Sequence, residues 1–231
     1  MRLIALFAAV VLFPQIGEGG AAHLLPVRPA FDAFEPGSRF AKPHATACEK
    51  LLFTPPDWVI RYYSSGESTT LGLSISRAPD GKFMVTVRQA TPALGSVIRE
   101  ASSLGRDLDK ALAAVRIDKA QGEIPEATSM AIRSLWLSLL NRTEPVSDER
   151  LKQYYQHPVL SETNILFAKA SNGRILAGKL PPDAYKYSQL MSVQDIVGEL
   201  VRICIHPGEK HQGAFKRLER KALALASGAY K

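Results

Sequence analysis

The sequence is poor in cysteine, with only Cys48 and Cys204 in 231 residues. That excludes a disulfide-dense scaffold and any four-cysteine zinc centre. Aromatic residues make up only 8%, and there is no basic–aromatic motif of a nucleic-acid reader. Beyond the N-terminal region, no apolar run approaches the roughly 20 residues that a bilayer crossing requires. Motif-borne chemistry is equally scarce. There is no Gly-x-Gly-x-x-Gly, no Gly-Lys-Ser/Thr and no Ser-x-x-Lys, so neither a phosphate cradle nor a penicillin-binding nucleophile is encoded. The nearest approach to a nucleophile elbow is Gly72-Leu-Ser74-Ile-Ser76. It lacks the closing glycine and lies in an alternating, strand-like run. No cofactor is expected.

What is present is ordinary core-forming material: 46% hydrophobic, 22% charged, net charge +7. The length fits one domain of about 200 residues. Residues 1–22 read as a secretory signal. Arg2 precedes the apolar run Leu3–Phe13, and Gly20 and Ala22 supply small residues at a cleavage site. The expectation is therefore a secreted or periplasmic protein without a membrane span after cleavage. Residues 23–47, with Pro26, Pro29, Pro36 and Pro43, read as an extended lead-in, and 48–231 as a single domain. Export and an even count predict a Cys48–Cys204 disulfide, closing a loop of about 155 residues.

Hydrophobic alternation predicts a strand over 58–63 and two β-hairpins, at about 69–89 around Asp80-Gly81 and at 163–180 around Asn172-Gly173. Type I′ turns are expected at both. Helical periodicity covers about 92–115 with a break at Gly105, then 125–141, a short helix opened by Ser147, a helix capped by Ser192, and 212–226. Residues 114–120 read equally as helix end or strand. Together these predict an α+β fold, an antiparallel sheet with helices packed on one face. Of the neighbours Tyr62 and Tyr63, and likewise Tyr154 and Tyr155, one is expected at the surface, because neighbouring residues cannot both face the core.

Three clusters bear on function. His206, Glu209 and His211 gather metal-ligand types within six residues. The spacing misses His-Glu-x-x-His and its inverse, and Pro207-Gly208 breaks the helix, so a polar loop without metal is expected. Lys216, Arg217, Arg220 and Lys221 oppose the apolar stripe Phe215, Leu218, Ala222, Leu225. This basic helix either solvates the back of a docked helix or meets an anionic partner, such as an envelope component or an acidic protein. Asn141-Arg-Thr143 is formally a glycosylation sequon. The expectation is an exported, non-enzymatic binding domain. The alternatives are a secreted hydrolase whose residues converge only in three dimensions, and an envelope-associated structural protein held by the basic helix.

Overall fold

The computed structural model describes residues 24–26, 39–53, 57–143, 163–181, 184, 187–207 and 211–228. The expected signal segment, much of the expected lead-in, the helix expected from Ser147, and Tyr154, Tyr155 and Glu209 lie outside them. The strands are β1 (Leu25–Pro26), β2 (Ile60–Ser65), β3 (Thr70–Arg77), β4 (Phe83–Thr91), β5 (Arg116–Ile124), β6 (Thr163–Lys169) and β7 (Ile175–Lys179). The helices are α1 (Ala41–Leu52), α2 (Leu94–Ser103), α3 (Leu108–Ala113), α4 (Glu126–Leu140), α5 (Ser188–Ile205) and α6 (Gln212–Ala226). The strands form one sheet in the order β1-β7-β6-β2-β3-β4-β5, and every neighbouring pair is antiparallel. Strands β2 to β5 form a meander, and β6 returns to the free side of β2. The fold is α+β, with both expected hairpins present as β3–β4 and β6–β7.

The two hairpins close with the same chemistry, but the turn is not type I′. In each, the glycine N–H bonds three residues back, from Gly81 to the Ala78 carbonyl (2.9 Å) and from Gly173 to the Ala170 carbonyl (3.0 Å). The outer pairs Ala78–Lys82 and Ala170–Arg174 then close three-residue loops. Gly81 and Gly173 take φ of 87° and 80°, the left-handed conformation that this loop assigns to glycine. Pro79, with φ fixed near −65°, suits the first position of such a loop. Asp80 and Asn172 accept the backbone N–H two residues on, at 3.1 and 3.0 Å.

Helices cover both faces of the sheet, not one. On the first face, α4, α5 and α6 pack Ile132, Leu135, Trp136, Leu190, Ile196 and Leu218 onto Ile60, Tyr62, Leu73, Ile75 and Val85. On the second, α1 and α2 pack Ala47, Cys48, Leu52, Leu94 and Ile98 onto Tyr63, Ala90, Ile165 and Phe167. Tyr62 and Tyr63 are consequently both buried, contrary to the expectation that one is exposed. The alternation in β3 conceals this second layer. Its small residues Gly72, Ser74 and Ser76 read as a solvent face, yet they leave room for α1. A Cβ built on Gly72 would stand 2.8 Å from Leu52 Cβ.

Three further expectations are corrected. Residues 41–47 are helix rather than extended lead-in. Pro43 lies in the first turn of α1, where its missing N–H has no intrahelical partner to lose. Ser192 lies inside α5, which opens at Ser188 after Tyr187, and caps nothing. Cys48 and Cys204 are both free and buried. They lie in the cores on opposite faces of the sheet, so the strand layer separates them and no bridge can form. The ambiguous run 114–120 is both, since Ala114 closes α3 and Arg116 opens β5, which pairs with β4 along its full length.

Candidate functional site

The basic face of α6 is built by helical periodicity. Ala214, Leu218, Ala222 and Leu225 are buried against the first core, which turns Lys216, Arg217, Arg220 and Lys221 outward. The structure divides the four into two pairs. Lys221 Nζ reaches Asp195 Oδ2 at 2.7 Å, and Arg217 Nη2 reaches Glu199 Oε1 at 3.4 Å. Asp195 and Glu199 stand one turn apart on α5, so these contacts form a seam between the two helices. Glu199 also accepts both Nε and Nη2 of Arg202. That charge-assisted bond holds its carboxyl below the ordinary value of 4.5. Lys216 and Arg220 are exposed and have no acidic partner among the described residues. Arg220 Nε makes only a long bond, 3.4 Å, to the Lys216 carbonyl.

The histidine loop does not assemble a metal site among the described residues. His206 is exposed. His211 is buried, with Nε2 2.8 Å from the His206 backbone carbonyl, a bond in which the ring nitrogen must donate. The ring also packs against Phe215. These contacts tie the α5–α6 turn together.

A denser polar cluster, missed in the sequence, lies beneath α1. His44 and Cys48 fall one helical turn apart, and both face Tyr63 of β2. Tyr63 Oη lies 3.0 Å from His44 Nε2, and Cys48 Sγ lies 3.6 Å from the same nitrogen. All three are fully buried. Burial pushes the Cys48 thiol and the Tyr63 phenol well up from their ordinary values, so both keep their protons at neutral pH. A neutral thiol without solvent access is not a nucleophile. The four-residue spacing of His44 and Cys48 was the available signal, hidden by reading residues 41–47 as non-helical.

Beside it, Arg61 of β2 is buried between the rings of Trp58 and Phe53, 4.5 and 4.8 Å from their centroids. Its Nη1 forks onto both oxygens of Glu49 (2.8 and 3.0 Å), and Nη2 donates to the Phe53 carbonyl. Arg88 of β4 donates to the Leu51 carbonyl. Two sheet arginines thus satisfy carbonyls at the C-terminal end of α1, where the helix dipole favours positive charge. Removal of Arg61 from water lowers the affinity of its guanidinium for a proton, and Glu49 offsets that effect. The arrangement anchors a helix and contains no reactive group. Cys204, on the other face, donates weakly to the Val85 carbonyl, and burial pushes its thiol up to about 12.

One shallow depression also lies on the first face, lined by Leu71, Val87, Ala120, Val201 and Ile205 together with Gln89 and Asp118. Its enclosed volume of about 10 Å³ holds a single water, too little for a substrate. Fold and clusters together define an α+β sandwich of one sheet between two helical layers, with α6 presenting two exposed cations, Lys216 and Arg220, among those without an acidic partner in the described residues. Comparison with protein-family models, curated proteins and solved structures finds no match.

Proposed function

We propose that this chain is an exported binding domain that attaches to an anionic partner, in the periplasm or outside the cell, through the outer face of α6. The observation that carries this reading is the division of that helix. Arg217 and Lys221 are held in ion pairs with α5, whereas Lys216 and Arg220, one turn apart and flanking Glu219, make no ion pair among the described residues. Two unpaired cations on a rigid, docked helix can approach phosphate or carboxylate groups with little ordering cost. The export part of the proposal rests on the composition of residues 1–22.

Co-sedimentation with acidic and with zwitterionic phospholipid vesicles tests the attachment, alongside retention on polyglutamate beads. Salt-sensitive retention on at least one acidic surface is expected, with loss of most of it in Lys216→Gln/Arg220→Gln. Equal retention on neutral vesicles, or an unaffected double variant, overturns the reading. For export, mass spectrometry of native material should find a mature chain beginning near His23; intact Met1 on cytosolic protein refutes it.

A further inference from the structure

The two edges of the sheet differ. At one, β1 covers β7 through just two residue pairs, Leu25–Lys179 and Pro26–Gly178. At the other, β5 is nine residues long, pairs with β4 without interruption from Arg116 to Ile124, and has no strand on its outer side among the described residues. A long regular edge presents a row of backbone donors and acceptors that another strand can pair with. Natural sheets usually blunt such an edge with proline, a bulge, shortness or charged side chains; β5 has no proline or interruption within it, and it does carry Arg116, Asp118, Lys119 and Glu123. Its charges are of both signs.

We propose that β5 is the dimerisation edge of this protein, where a second copy adds its own β5 antiparallel to extend the sheet across a two-fold axis at Gln121. A two-fold axis perpendicular to the sheet makes the paired edges antiparallel, and each residue then meets one determined by the register. Centred on Gln121, Lys119 of each copy lies opposite Glu123 of the other, so two opposite-charge pairs flank a Gln121–Gln121 amide pair. Opposing side chains in such a ladder point to the same face. Lys119, Gln121 and Glu123 all share one face and are all exposed. Lys82 Nζ donates to Glu123 Oε2 (2.8 Å), which leaves Oε1 for the partner. On the opposite face the same register sets Ala120 against Gly122, small residues that raise no steric barrier. The shallow depression lined by Ala120, Val201 and Ile205 adjoins the edge there, and strand addition would cover apolar surface beside it. Shifting the axis to Lys119 sets lysine against lysine, so the charge pattern selects among registers as well as permitting contact.

The test is sedimentation equilibrium of the full chain over a wide concentration range. A concentration-dependent dimer is expected. Lys119→Glu alone, which sets acid against acid twice, should weaken it roughly tenfold or more, and Glu123→Lys alone should do the same by setting lysine against lysine. Mixing these two folded variants should restore a dimer, because every facing pair across a mixed interface is then of opposite sign. Circular dichroism of each variant establishes that it is folded before mixing. A wild-type chain that stays monomeric throughout, a dimer indifferent to Lys119→Glu, or a mixture that fails to associate overturns the proposal.

Discussion

The two faces of the sheet are held by different physics. On the first, α4, α5 and α6 bury mainly aliphatic and aromatic side chains, with Thr128, Ser129 and Ser192 the buried polar residues of α4 and α5, and Trp136 is fully enclosed. On the second, α1 is held by His44, Cys48 and Tyr63 beneath it and by Arg61 and Arg88 at its end. One face is stabilised chiefly by apolar area, which is tolerant in direction, with the buried Cys204 thiol as its pH-sensitive group. The other depends on directional polar contacts, in which Arg61 and Arg88 bond through their terminal nitrogens while their Nε atoms stay buried without a partner. A chain with both is therefore expected to respond to alkaline pH through Tyr63 and Cys48 on one face and Cys204 on the other, and to cavity formation mainly through the first.

The comparison breaks most severely at Trp136. Replacement by alanine opens a cavity in the first core and should cost about 3–5 kcal/mol in denaturant unfolding, without changing the alkaline limb of the stability profile. The second face is sharpened by Tyr63→Phe, which removes the hydroxyl beside His44 and should cost about 1–3 kcal/mol at neutral pH. Tyr63 and Cys48 hold their protons more tightly folded than unfolded. Their contribution is complete below the ordinary values of 9.0 for the thiol and 10.0 for the phenol. Above these the unfolded chain releases protons that the folded chain retains, so stability falls as pH rises. The deficit of Tyr63→Phe relative to wild type should therefore narrow above pH 10.0, as a pH series of unfolding curves would show. The smallest effect is expected at the α5–α6 seam, whose ion pairs lie at the surface of the first face. Arg217→Gln/Lys221→Gln should cost less than about 1 kcal/mol, and raised salt should remove most of the difference.

Legibility in the sequence followed the same division. The hairpins, α4 and α6 could be read because Leu71, Leu73 and Ile75, or Leu218, Ala222 and Leu225, repeat with one period and bury one face. The second layer could not. Ser74 and Gly72 signal solvent by composition but provide space for α1, and Pro43 signals a break but is harmless in a first turn. For the candidate site, the basic residues of α6 were visible, yet their separation into paired and unpaired cations depends on Asp195 and Glu199 of another helix. The disulfide failed for the same reason. Compartment and count say nothing about which side of a sheet a cysteine occupies.

Local sequence alone determined the periodicity of most elements, the turn positions and the basic stripe of α6, because these depend on neighbours within a few residues. Tertiary structure decided which faces were covered, which charges were matched, and where Cys48 and Cys204 came to rest. Those outcomes depend on contacts between segments far apart in the chain, and the sheet fixes them only when β6 returns to pair with β2.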